Sequence, residues 1–180
     1  MPIARPISRP VAHTLARAVV LLALAVVAAC RGSSDPVTLV PGEPWLAVEV
    51  LGGWTSHRMT TFVDSSTGRW EKIQCDPTIS SRPCRRGTLV ASGSASGDDL
   101  RALFAAVRGA AFDAVPSDIP GGSGPEVDGT LFTMTIAREG APRSVQWRTG
   151  APLPAPLTAA VARLETIVGS EWRRLEARPA

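Results

Sequence analysis

The 180-residue chain has no tyrosine, a single lysine (Lys72), two histidines (His13 and His57) and three cysteines (Cys30, Cys75 and Cys84). These shortages exclude much chemistry. With one histidine beyond Cys30 and no Cys-x-x-Cys pair, the chain lacks the three or four ligands that a zinc site takes. A serine hydrolase needs a nucleophile on a sharp strand-to-helix turn, and Gly93-Ser94-Ala95-Ser96-Gly97 places Ala95 where that serine would stand. Gly121-Gly122-Ser123-Gly124 precedes no helix, so it lacks the context in which glycine loops cradle phosphate. A lone His57 in a Thr-rich strand reads as a solvent-facing side chain rather than a general base. The expectation is therefore a non-enzyme without metal or cofactor.

Acidic residues are missing from the first 29 positions, which carry Arg5, Arg9 and Arg17. Of 19 basic residues these three precede Cys30, leaving 16 against 16 acidic residues in the remainder. The net charge of +3 thus belongs to the amino terminus, and the rest is near neutral. That balance argues against nucleic acid as a partner, because such domains carry a basic footprint. No apolar run is long enough to cross a bilayer: the twelve residues Ala18 to Ala29 span about 18 Å as a helix, against a hydrocarbon core of about 30 Å. A charged segment followed by an apolar run of this length is instead the pattern of a secretory signal. Val27-Ala28-Ala29-Cys30 then resembles the lipobox of bacterial lipoproteins. The resemblance implies cleavage before Cys30, lipidation of its thiol (diacylglycerol, palmitate) and stable membrane anchoring through several acyl chains. Arg31 stands where an aspartate would signal inner-membrane retention, which favours the outer membrane, facing the periplasm.

Organisation follows from this. Residues 1–29 read as signal peptide, 30–44 as the lipidated cysteine and a Ser/Gly/Pro-rich tether, and 45–180 as one domain. Trp45 to Leu51 alternates as a strand with one buried face and ends at Gly52-Gly53. Thr55 to Val63 and Arg69 to Cys75 flank the turn cluster Asp64-Ser65-Ser66-Thr67-Gly68 as a hairpin, and Thr88 to Ser92 is a short strand. Ser96-Gly97-Asp98-Asp99 has the Ser-x-x-acid form of a capping box, opening a helix of about fourteen residues with a Leu100, Leu103, Phe104, Val107, Ala111 stripe. The Gly/Pro-rich stretch 116–129 reads as a loop. Leu131 to Ala137 and Arg143 to Arg148 form a second hairpin, and Leu157, Val161, Leu164, Val168, Trp172 and Leu175 mark a final helix interrupted by Gly169. The expected fold is α+β in hairpin, helix, hairpin, helix order: a small antiparallel sheet of two hairpins with two helices on one face.

Two cysteines remain once Cys30 is lipidated, and in an exported protein the even remainder reads as a Cys75–Cys84 disulfide. Candidate binding residues are Gly52, Gly53, Trp54 and Trp70, because tryptophan anchors interfaces and glycine permits close backbone approach.

The layout carries a second resemblance. Val48-Glu49-Val50-Leu51-Gly52-Gly53-Trp54 opening a strand pair, a helix from Leu100 to Phe112, a hairpin through Asp128 to Ile136 and Val145, and a last helix resemble the emfourin family over Trp45 to Val168. That family comprises small bacterial inhibitors of thermolysin-like metalloproteases, which implies a secreted metalloprotease as partner. The chain departs from the pattern at Trp54, where phenylalanine is usual, in its inserted cysteine loop and in its lipoprotein signal. No inhibitory residue carries over by position. The expected function is thus a membrane-anchored envelope lipoprotein with a non-catalytic, protein-binding domain, and the alternative is a structural or assembly component of the envelope.

Overall fold

The computed structural model describes residues 44–52, 57–121, 129–137, 142–173 and 175. Cys30, the signal segment, Gly53 and Trp54 lie outside them.

Seven strands form one sheet: β1 (Trp45–Leu51), β2 (Arg58–Asp64), β3 (Arg69–Cys75), β4 (Gly87–Ser94), β5 (Asp118–Ile119), β6 (Leu131–Ile136) and β7 (Arg143–Arg148). Their spatial order is β4-β3-β2-β1-β6-β7-β5. All neighbours pair antiparallel except β5, which lies parallel to β7. The helices are α1 (Gly97–Arg108), α2 (Ala110–Asp113) and α3 (Ala155–Val168), the last followed by a 3-10 turn, Gly169–Arg173.

This corrects the expected fold. The two hairpins are not a small sheet of their own, because β1 pairs with β2 on one side and β6 on the other, fusing them into a mixed seven-stranded sheet. The helices of the described residues number three, not two: the stripe expected to run unbroken through Ala111 is cut at Gly109, whose extended backbone (φ −74°, ψ 152°) separates α1 from α2. Part of the Gly/Pro-rich stretch adds β5, too short to carry any alternation.

Local chemistry explains the other boundaries. Between β2 and β3 the Asp64 carboxylate accepts from the Ser66 amide (2.8 Å) and hydroxyl (2.7 Å), and Gly68 closes the turn at φ +70°, a conformation that favours glycine. Ser96 caps α1, its hydroxyl accepting from the Asp99 amide at 3.1 Å and donating to the Asp99 carboxylate at 2.6 Å. Asp98 and Asp99 place negative charge at the positive end of the helix dipole. Pro156 sits in the first turn of α3, where a missing N–H costs no hydrogen bond, and Gly169 at φ +70° ends the helix.

The strand period sorts side chains onto two faces. Leu46, Val48 and Val50 of β1, with Phe132, Met134, Ile136, Val145 and Trp147, meet Leu103, Phe104 and Val107 of α1, Phe112 of α2 and Leu157, Leu164 and Val168 of α3 in the main core. Each such aliphatic side chain contributes about 1.5 to 3 kcal/mol when fully buried. The opposite face buries a smaller cluster of Trp45, Ala47, Phe62, Ile73, Cys75 and Cys84. The single buried face expected of β1 is therefore corrected as well: as a central strand covered on both sides, it buries every residue from Trp45 to Val50.

Lys72 shows what the helix face demands of a polar group. It is 1% exposed on β3, and its ammonium donates to the Glu171 carbonyl, fastening the 3-10 turn to the sheet. The turn in turn buries Trp172 against Phe132, ring centroids 5.7 Å apart.

Candidate functional site

The second face of the sheet is covered by the chain between β3 and β4, residues 76–86, which is attached covalently, electrostatically and by hydrogen bonds. Cys75, at the end of β3, forms a disulfide with Cys84, their Cα atoms 6.1 Å apart. Sequence pairing of these residues thus coincides with the structure. The Thr60 hydroxyl of β2 donates to Cys75 Sγ at 3.2 Å, and the Arg82–Pro83 peptide bond is cis.

The second attachment is electrostatic. Glu49 of β1 is 3% exposed and points to this face. Its Oε1 lies 3.4 Å from Arg82 Nε, its Oε2 lies 3.6 Å from Arg58 Nε, and Oε2 also accepts from the Cys84 amide at 3.2 Å. Arg58 extends from β2 and donates to the Ile79 carbonyl in the middle of the loop. One buried carboxylate thereby gathers two guanidinium groups and a backbone N–H, satisfying the lone pairs that make burial of a charge costly. A third contact adds to these: the Arg85 guanidinium lies 5.0 Å from the Trp45 ring centroid, within cation–π range.

The loop so held still presents much of its length to solvent. Asp76, Pro77, Thr78, Ser80, Ser81, Arg82, Arg85 and Arg86 are exposed, whereas Cys84 is buried. The Asp76 carboxylate accepts from the Thr78 hydroxyl (2.7 Å) and amide (2.8 Å), and these bonds hold its carboxyl below the ordinary aspartate value. At Asp64 partial burial pushes the carboxyl upward, and the hydrogen bonds from Ser66 and Thr67 more than offset it, leaving it lowered too. Beside the loop, Gln74, Asp76, Arg86 and Thr88 line an open cleft of about 680 Å³.

The residues singled out from sequence fall in different places. Gly52 is buried at the end of β1, its amide donating to the His57 carbonyl at 3.4 Å. Trp70 is half-buried on the helix side and packs against the main core. Its ring covers Gly93 so closely that a Cβ there would lie 2.7 Å from three indole atoms. The structure does not bring Trp70 together with the cysteine loop, which lies on the other face. Glu49 was legible only as a polar residue in an alternating strand, because its partners Arg58, Arg82 and Cys84 stand 9, 33 and 35 positions away in sequence.

Among the described residues no group of three or more His, Cys, Asp or Glu side chains could hold a metal ion, and no helix is long and apolar enough to cross a membrane. The chain matches no family model and no curated protein.

Proposed function

We propose that the chain is a lipid-anchored envelope protein whose domain acts by binding another protein, without catalysis, as an inhibitor of a secreted thermolysin-like metalloprotease. The Val27-Ala28-Ala29-Cys30 sequence after a twelve-residue apolar run supports the anchor. The observation that carries the binding reading is the loop 76–86, fixed by a disulfide, a buried carboxylate and the Arg58 bond to Ile79 while its Thr78, Ser80 and Ser81 stay exposed. A loop ordered before it meets its partner avoids the ordering cost of association, about 0.5 to 1.5 kcal/mol per immobilised side chain. Gly52 to Trp54 and the Gly/Pro-rich sequence 116–128 are further candidate contact segments read from the sequence, since glycine permits close backbone approach and tryptophan anchors interfaces.

The test is a titration of thermolysin-like metalloproteases with purified protein, comparing wild type with Ser80→Arg. Dose-dependent inhibition weakened at least tenfold by the loop substitution supports the reading. Proteases left fully active at micromolar concentrations of wild-type protein refute inhibition, and inhibition indifferent to Ser80→Arg removes the cysteine loop from the interface.

A further inference from the structure

The loop 76–86 and the two strand side chains that anchor it carry an unbalanced charge. Arg58, Arg82, Arg85 and Arg86 stand against Glu49 and Asp76 alone, an excess of two positive charges within a sequence that is balanced from Cys30 onward. The four cations are not equally engaged. Arg58 and Arg82 share the buried Glu49 carboxylate, their Nε atoms 3.6 and 3.4 Å from its oxygens. Arg85 and Arg86 are exposed, and among the described residues neither has a carboxylate partner. The other acid of the loop, Asp76, is occupied with the amide and hydroxyl of Thr78.

Both of these arginines stand on a fixed backbone. Cys84, immediately before them, is bonded to Cys75, and the Arg86 carbonyl accepts from the Asp76 amide at 3.2 Å. The Arg85 guanidinium lies 5.0 Å from the Trp45 ring centroid, a contact that positions the cation without neutralising it. Arg86 lines the open cleft of about 680 Å³ at the end of β3 and the start of β4, together with Gln74 and Thr88, whose side-chain amide and hydroxyl are further hydrogen-bond donors.

A rigid rim with two consecutive guanidinium groups and a cleft holding further donors is complementary to carboxylates, each of which arginine takes through two parallel N–H···O bonds. Two such groups on one chain segment suit a run of acidic side chains better than a single small anion. A bilayer fits less well, because roughly four to eight clustered basic residues mark recognition of anionic lipid, more than this rim offers. We infer that Arg85 and Arg86, with the cleft beside Gln74 and Thr88, receive an acidic segment of the protein that the cysteine loop binds. This rests on the reading of the loop as a binding surface and adds the chemistry of its partner.

The experiment uses the purified full chain and a fluorescent octaglutamate peptide, read by anisotropy at low salt. Expected is saturable binding with half-saturation at about 1 mM or below, weakened at least about tenfold when Arg85→Gln and Arg86→Gln are combined. Arg86→Gln alone, which leaves the Trp45 contact in place, should weaken it about threefold or more. Arg108→Gln with Arg163→Gln removes the same charge from exposed positions on α1 and α3 and should change the affinity less than about twofold. No saturable binding, equal losses in the α1 and α3 pair, or phosphatidylglycerol vesicles bound through Arg85 and Arg86 while octaglutamate is ignored would each overturn the assignment. The protease titration keeps the two readings apart. Octaglutamate binding without inhibition of any protease supports this site and removes the inhibitor reading, whereas full inhibition by the variant lacking both arginines overturns this site and leaves inhibition standing.

Discussion

Removing the Glu49 carboxylate should cost far more than removing either exposed end of its network. In Glu49→Ala, Arg58, whose side chain is 12% exposed, keeps its charge beneath the loop without its anion, and the Cys84 amide loses its acceptor. Breaking a buried pair from one side typically costs about 3 to 5 kcal/mol, because the remaining charge is left uncompensated. Arg82 is different: its side chain is 48% exposed, and water replaces the carboxylate when the pair is broken from the other direction. Arg82→Ala should therefore cost at most about 1 kcal/mol. The decisive comparison is the double substitution Glu49→Leu with Arg58→Met, which removes both charges and fills their space with apolar atoms. It should be more stable than Glu49→Ala alone, since exchanging a buried ion pair for well-packed hydrophobic residues is often close to neutral. Urea unfolding with the disulfide intact measures all four proteins, and amide exchange across 76–86 reports whether the loop loosens in Glu49→Ala before the sheet does. If Glu49→Ala unfolds within about 1 kcal/mol of wild type, or if Arg82→Ala is as damaging, the carboxylate does not organise the loop.

Three further outcomes follow from single contacts. Gly93→Ala forces a methyl group into the Trp70 ring at 2.7 Å and should destabilise the protein by about 1 to 3 kcal/mol, measured by thermal unfolding. Asp64 and Asp76 have folded-state values below the unfolded one, so their stabilisation is complete above the unfolded value of about 3.9 and is lost as pH falls through the folded value. Unfolding free energies between about pH 5 and 2 should fall less steeply in Asp64→Asn than in wild type, and an unchanged slope would contradict the Ser66 and Thr67 bonds as the cause. Replacing both Cys75 and Cys84 by serine opens a loop of about ten residues and should cost about 2 to 3 kcal/mol by denaturant titration.

What the sequence disclosed depended on the range of the cause. β1 runs over the span that alternation indicated, β3 and β7 over the spans that the hairpin readings set, and α1 begins at the Ser96 cap, because periodicity, turn chemistry and capping are local. Strand neighbours are not local: β1 and β6 pair Val48 with Met134 across most of the domain, and nothing in either strand's pattern names its partner. Hence two hairpins were legible and their fusion into one sheet was not. The burial of Glu49 was hidden for a similar reason, since it follows from a loop folding back over the sheet rather than from the strand's own pattern. Lys72 was likewise visible as the only lysine but not as the fastening of the 3-10 turn.

Attachment to a membrane through a lipidated Cys30 is the central proposal, and it rests on the Val27-Ala28-Ala29-Cys30 sequence. Metabolic labelling with radioactive palmitate in a bacterial host, followed by membrane fractionation and mass spectrometry of the mature amino terminus, tests that directly. The expected result is label in the membrane fraction of wild type, a mature chain beginning at Cys30, and neither label nor membrane retention in Cys30→Ser. Label persisting in Cys30→Ser, or a wild-type protein whose mature terminus lies away from Cys30, would contradict it.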